Sequence, residues 1–140
     1  MTMVKRWEHF THGADIGIRG IGPTLTDAFE MGALALTNVV VDAALVNPIK
    51  IIQIACSAPN VEILFIDWLN ALIYEMETRC MLFSEFHLTI RKLTLRAIIK
   101  GEKIDKLRHQ PVVDIKGATY TELKVCPIKD GWIAQCVVDV

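Results

Sequence analysis

Apolar and polar residues alternate in short runs over much of this chain, and in two places the alternation gives way to a spacing of threes and fours. The first alternating run is Ala14–Gly20, with Ile16 and Ile18 on one face and Asp15, Gly17 and Arg19 on the other, the two-residue repeat of a strand. Gly20, Gly22 and Pro23 end it. A helix is predicted from Thr24, where Thr24 and Asp27 hold the positions of a capping box with Asp in place of the usual Glu. Its apolar stripe is Leu25, Ala28, Phe29, Gly32, Leu36, Val39 and Val40. Asn47-Pro48 marks a turn, and the Ile-rich Lys50–Ala55 reads as the next strand. Asn60 is placed to cap a second helix, whose stripe Val61, Leu64, Phe65, Trp68, Leu69, Leu72, Ile73 and Met76 is unbroken, while Glu62, Asp67, Asn70 and Glu77 fall away from it.

Strands are predicted at Leu82–Ile90 and Leu93–Lys100, and the short Arg91-Lys92 link makes them a hairpin. A polar excursion, Gly101–Pro111, separates them from extended stretches at Val112–Ala118 and Thr119–Ile128. Asp130-Gly131 then reads as a hairpin turn into a final strand, Trp132–Val140. This order, β-α-β-α followed by hairpin-linked strands, predicts an α+β fold with two helices packed on a mainly antiparallel sheet. No linker, repeat or low-complexity stretch interrupts residues 1–140, so one domain is expected.

Composition narrows the function classes. Hydrophobic residues make up 52% and charged residues 22% of 140 positions, which is globular composition. Net charge is −1, from 15 basic and 16 acidic side chains. Such a balance supplies no global field for a phosphate backbone, so independent nucleic-acid binding is not expected. The run Val61–Met76 is too short and too interrupted by Glu62, Asp67 and Asn70 to span a bilayer. The N-terminal residues lack the apolar core of a signal peptide. Cys56, Cys80, Cys126 and Cys136 are scattered, with no CxxC pair, and read as small buried hydrophobes in a reducing, cytoplasmic compartment.

Catalytic motifs are few: there is no Gly-rich phosphate loop, no GxSxG and no HExxH. His9, His12 and Asp15 crowd the entrance of the first strand. They would bind a divalent cation or, as the plainer alternative, hydrogen-bond the local backbone. Asp139 shares its strand face with Ile133, Gln135 and Val137, and lies next to the terminal carboxylate of Val140. A hard cation would relieve that anionic pair, and oxygen ligands suit Mg²⁺, Ca²⁺ or Mn²⁺ better than zinc; the alternative is a strand end frayed into water. Lys116-Gly-Ala-Thr119-Tyr120-Thr121 gathers polar groups around Gly117, on a bulge or on ordinary sheet surface. Asp67, Glu62 and Glu85 read as solvated side chains.

Together these segments resemble the archease family. His12-Gly-Ala-Asp15-Ile-Gly-Ile-Arg-Gly20 resembles its N-terminal signature, Asp67-Trp-Leu-Asn70 with Ala-Leu-Ile-Tyr74 its second-helix motif, and Phe83-Ser-Glu-Phe86 the strand after it. Gly101-Glu102, Lys116-Gly-Ala-Thr119-Tyr120 and Trp132–Val140 complete the match across essentially the whole chain. Departures are Thr121, where many relatives carry His, and Gly13, where Thr is common. The resemblance implies a protein that is not itself an enzyme but activates an RtcB-type RNA ligase, promoting its guanylylation and repeated turnover in tRNA splicing or RNA repair. It also implies a divalent-metal site at Asp15 and Asp139, with Val140 beside it and His12 as a ligand or supporting group. Lys116, Thr119 and Tyr120 are the expected partner-facing surface. A small metal-dependent phosphoester hydrolase, with His12 as base, and a general chaperone or RNA-binding module are the competing classes.

Overall fold

The computed structural model describes residues 3–140. The chain begins with a hairpin, β1 (Arg6–His12) and β2 (Asp15–Gly22), followed by helix α1 (Leu25–Val40) and a short 3₁₀ turn, Ala43–Leu45. Strand β3 (Lys50–Ser57) leads into α2 (Val61–Arg79), then the β4 (Met81–Arg91) and β5 (Thr94–Lys103) hairpin. A single helical turn, α3 (Lys106–His109), precedes β6 (Gly117–Ala118), β7 (Lys124–Ile128) and β8 (Gly131–Asp139). Every strand pairing is antiparallel, and the helices pack against these strands in one α+β domain. The strands divide into a sheet ordered β1-β2-β8-β6, with β7 also on β8, and a three-stranded sheet ordered β3-β5-β4.

Local chemistry explains both helices. Thr24 Oγ1 accepts the Asp27 N–H at 3.1 Å, and Asn60 Oδ1 accepts the Ile63 N–H at 2.9 Å. Each cap satisfies a backbone donor that the first helical turn leaves free. Both helices contact strands of both sheets, so α1 is buried beyond its predicted stripe, at Met31, Ala35 and Thr37 as well. Phe29, Leu36, Phe65, Trp68 and Leu72 fill the core between them. Trp68 Nε1 donates to the Phe29 carbonyl at 3.0 Å, so the one polar atom of this buried ring is satisfied where α1 and α2 meet.

The first sheet meets α1 at unusually close range. A Cβ on Gly20 would stand 2.1 Å from the Ala28 carbonyl oxygen and 2.3 Å from the Gly32 nitrogen. These are backbone atoms and cannot rotate away, so only glycine lets the strand lie on the helix here.

A second clasp holds the far end of β5. The buried Glu102 carboxylate accepts through Oε2 from the Asn47 N–H at 2.7 Å and His109 Nε2 at 3.0 Å, and through Oε1 from Arg108 Nη2 at 2.6 Å. His109 Nδ1 takes the Asp105 N–H at 2.8 Å, which leaves the ring proton on Nε2 to be donated to Glu102. Arg108 also reaches the Leu45 carbonyl at 2.9 Å. One carboxylate therefore ties together β5, the turn before β3 and the α3 segment. The hydrogen bond from Arg108 is the largest of the effects that hold the Glu102 carboxyl down at about 2, with the Asn47 N–H next.

Four places differ from the expected elements. Strand β1 was not predicted, because its large apolar residues Trp7 and Phe10 point to opposite faces of an exposed edge and leave no alternation to read. Val112–Ala118 forms a strand only at Gly117–Ala118: Gly117 pairs with Asp139, the last residue of β8, so in this antiparallel register the residues before Gly117 run past the end of β8. Thr119–Ile128 becomes a strand only from Lys124, after a turn in which Glu122 adopts φ 55. The β7–β8 turn sits one residue early: Asp130 takes φ 64 and Gly131 already pairs with Ile128.

Two measurements test these constraints. Gly20→Ala is expected to destabilise the protein by about 1–3 kcal/mol, as for other overpacked cores; an unchanged urea midpoint would show that α1 lifts off freely. Because the folded Glu102 pKa lies below its ordinary value of 4.5, its contribution is complete above 4.5 and is lost as pH falls towards about 2. Glu102→Gln should lower stability at neutral pH and flatten the acid limb of the stability profile in that window. Parallel acid limbs for the two proteins would count against the clasp.

Candidate functional site

The end of the first sheet collects the residues singled out near both ends of the chain. In β1 and β2, His12 stands opposite Asp15 across the Gly13-Ala14 turn, where Gly13 takes the left-handed φ of +59°. The last β2–β8 pair is Ile16 with Val138, so the next step of the same register sets Asp15 beside Asp139. On the other side of β8, Asp139 pairs with Gly117. Directly opposed residues of antiparallel strands share a face. His12, Asp15, Asp139 and Gly117 therefore form one row across the sheet end, on the face turned away from α1.

That face explains the row's electrostatics. The opposite face carries Ile18, Ala134, Cys136 and Val138, all fully buried, whereas Asp139 and His12 are exposed and Asp15 is half-buried. Asp15 Oδ1 accepts the Val140 N–H at 3.3 Å, which draws the last residue across to β2. Among the described residues neither aspartate makes an ion pair. His12 is thus beyond ion-pairing distance of Asp15. Two carboxylates lie together, wet on one side, with no cationic side chain to neutralise them. Among the described residues no three His, Cys, Asp or Glu side chains gather closely enough to hold a metal ion.

The strip beside Asp139 is held by α2. Asn70 Oδ1 accepts the Ala118 N–H at 2.9 Å and thereby satisfies the outer edge of β6. Lys116 N–H donates to the Asp139 carbonyl at 2.8 Å. Thr119 bonds the Val137 carbonyl twice, through its N–H at 3.0 Å and its hydroxyl at 2.8 Å. Tyr120 is left 66% exposed beside them. Lys116, Thr119 and Tyr120 therefore occupy one continuous edge next to the aspartate row. Asn70 is the site residue that pattern reading missed: on the helix it appears as one more polar residue off the stripe. Its signal lay in the Asp67-Trp-Leu-Asn70 motif.

Other candidates go elsewhere. His9 is three residues from His12, so in an extended strand it lies on the opposite face. Its Nε2 meets the Ala35 carbonyl of α1 at 2.8 Å, and it does not join Asp15. Cys136 is fully buried, and burial pushes its thiol up to about 12. Cys56 is raised to about 11, first by burial and then by the nearby Asp67 carboxylate. Raised in this way, both groups stay in the thiol form, which is not the nucleophilic one. Cys80 departs from the buried reading: it is exposed, at the left-handed cap that ends α2. Glu85 is exposed beside His87, at 3.6 Å.

With this geometry in view, comparison with known proteins identifies the chain's relatives. The model of the Archease protein family matches residues 7–140. The chain belongs to the archease family. An archease of Pyrococcus abyssi is 36% identical over 98% of this chain and all of its own length, and one of Pyrococcus furiosus is 37% identical over the same shares. The solution structure of protein 1598 of Methanobacterium thermoautotrophicum superposes with a TM-score of 0.85 at 27% identity, over 96% of this chain and 98% of that one. An archease from Thermotoga maritima shares the fold at a TM-score of 0.59 and 18% identity, over 95% and 96% of the two chains. As an archease-family member, the chain is a non-catalytic protein. Among the described residues no helix is long and apolar enough to cross a membrane.

The Asn70 contact is directly testable in this archease-family chain. Asn70→Ala should leave the fold intact but speed amide hydrogen exchange at Ala118, whose donor loses its partner, by about five- to tenfold for a lost bond worth about 1 kcal/mol. Unaltered exchange there would mean that β6 is held by β8 alone.

Proposed function

We propose that this protein activates an RNA ligase of the RtcB type and holds a divalent cation at Asp15 and Asp139 to do so. The single observation that carries this reading is the pairing of β2 with β8, which sets the two carboxylates side by side without a cationic partner. The donor set fits Ca²⁺, Mg²⁺ or Mn²⁺. Asp15 and Asp139 supply oxygens, the backbone oxygens of Val140 lie beside them, and the exposed side leaves room for the waters that these ions keep. A hard-ligand site of this kind needs only two protein carboxylates, which is compatible with the lack of any larger His, Cys, Asp and Glu cluster among the described residues. His12, opposite Asp15, would orient the site or complete it through water.

In this reading the protein's own residues do the presenting. The β1–β2 turn and the end of β8 form a projecting edge, and Asn70 fixes β6 next to it. Lys116, Thr119 and Tyr120 would dock on the ligase around that edge. The cation would supply positive charge at a site that otherwise presents only carboxylates, allowing the edge to approach a nucleotide-binding centre. Promotion of ligase guanylylation and turnover, in tRNA splicing or RNA repair within the cytoplasm, is the role proposed for this edge, and membership of the archease family supports it.

Asp15→Ala and Asp139→Ala should each abolish stimulation of ligation under multiple-turnover conditions while circular dichroism stays unchanged. The wild-type protein should gain thermal stability with Ca²⁺, Mg²⁺ or Mn²⁺, and neither variant should. Full stimulation by a folded double variant would refute the role of the pair. Robust phosphoester hydrolysis by the protein alone with Mn²⁺ would favour an enzyme instead.

A further inference from the structure

The outer face of the three-stranded sheet carries a second chemistry, opposite in sign to the aspartate row. Its registers are continuous across β3, β5 and β4, so the residues that face solvent can be read in rows. Arg96 stands between Ala55 and Thr89, and Lys100 between Ile51 and Glu85. Arg91 lies opposite Thr94, which makes it the diagonal neighbour of Arg96, about 7–8 Å away in such a sheet. Lys92 occupies the hairpin turn just beyond, where it and Leu93 adopt φ 49 and 62, a tight two-residue reversal. Glu85 is the one carboxylate in these rows, and it already faces His87. Among the described residues Arg91, Lys92, Arg96 and Lys100 make no ion pair.

Like charges set as diagonal neighbours disfavour each other unless an anion lies between them. The sheet adds a seat for something flatter than an ion: Ile51 is 59% and Ile98 42% exposed, and a shallow hollow runs over Gln53, Ala55, His87 and Arg96. A row of cations beside exposed apolar side chains matches a chain that alternates phosphates with flat bases. Arg96 and Lys100 lie about 13 Å apart along β5 at the ordinary rise of a strand, so the face contacts an extended segment and not one phosphate. His87 is the one aromatic ring in these rows, opposite Ile98 and already facing Glu85, so base stacking is limited and phosphate contacts must supply most of the affinity.

We propose that this face binds single-stranded RNA through its phosphate backbone, without sequence preference. The choice of RNA as the occupant rests on the ligase reading above. The geometry requires only a single-stranded phosphodiester chain. The net charge of −1 concealed this surface, because a sum over the whole chain does not show that Arg91, Lys92, Arg96 and Lys100 share one face while Asp15 and Asp139 lie at the end of the other sheet.

The test uses the intact protein without any ligase, titrated into a short fluorescein-labelled unstructured RNA and followed by anisotropy. Binding should weaken with salt, with log K falling against log salt at a slope of about −2 to −3 for three or four phosphate contacts on a single strand. Arg91→Glu with Arg96→Glu should lose about tenfold or more in affinity at low salt. Lys124→Glu with Lys129→Glu changes net charge equally on the other sheet and should bind as the wild type does. Should the glutamate pair fail to fold by circular dichroism, Arg91→Gln with Arg96→Gln replaces it, with the same loss expected in smaller measure. Absence of wild-type binding at low salt, or equal losses in the two charge-reversed proteins, overturns the proposal. If the face variants lose ligase stimulation while RNA affinity is unchanged, the face contacts protein, which also overturns it. Ligase stimulation by the wild-type chain is scored separately, so a failure of the ligase reading stays distinguishable.

Discussion

The register of β2 on β8 is the constraint on which the rest of the molecule depends. It joins strands far apart in the chain, so that Arg19 meets Gln135 at a sequence separation of 116. Because side chains alternate with period two, a slip of one residue would exchange the buried Ile18–Cys136 face for the polar one. The outer face guards against that slip. Glu8, Arg19 and Gln135 are directly opposed across three strands; Arg19 donates to Gln135 at 2.8 Å and to Glu8 at 3.2 Å, and lies 4.7 Å over the Phe10 ring. Gln135 in turn donates to the Glu122 carbonyl at 3.1 Å, which brings the loop before β7 under the same control. These are partly exposed contacts, each of modest strength, but they act together on one degree of freedom.

What makes this register useful is that the helices hold it from behind. Gly20 lets α1 lie directly on β2, and the Trp68 hydrogen bond to Phe29 couples α2 to α1. From α2, Asn70 reaches past the core to the edge of β6, which is paired to β8 beside Asp139. The core thus sets the aspartate row through two routes: the strand that carries Asp15 and the helix that fixes the far side of Asp139. A site at the end of a sheet, where strand pairing stops, is otherwise prone to open locally.

Much of this was legible in the sequence because both helices carry strong periodicity and clean caps; Thr24 and Asn60 act as expected. The strands were legible where one face is apolar and one polar, as in β4 and β5. Reading failed where pairing partners, and not the segment's own pattern, decide the outcome. Arg6–His12 is a strand because β2 offers it an edge, while Val112–Lys116 alternates well but lies past the end of β8 in the register that pairs Gly117 with Asp139. The juxtaposition of Asp15 with Asp139 had the same difficulty: periodicity assigns each to a face of its own strand but cannot say that the strands are neighbours. Only the resemblance of the whole chain to a family pointed to it. Misplacing His9 with His12 came from reading a loop where a strand stands, since three positions in a strand reverse the face.

Charge shows the same lesson on a larger scale. A net charge of −1 invites the inference that no surface is strongly polarised. Yet net charge is a sum over the surface, and recognition depends on its distribution. Here the pairing of β2 with β8 concentrates carboxylates at the end of one sheet, while the β4–β5 hairpin concentrates Arg91, Lys92 and Arg96 on the other. Neither group is neutralised by an ion pair among the described residues. Other charges on the same chain are paired, as in the clasp of Glu102 with Arg108 and the contact of Lys5 with Glu30 at 3.0 Å. A fold that pairs charges where they serve cohesion and leaves two opposite groups unpaired, on separate sheets, keeps a cation-seeking edge and an anion-seeking face from neutralising each other.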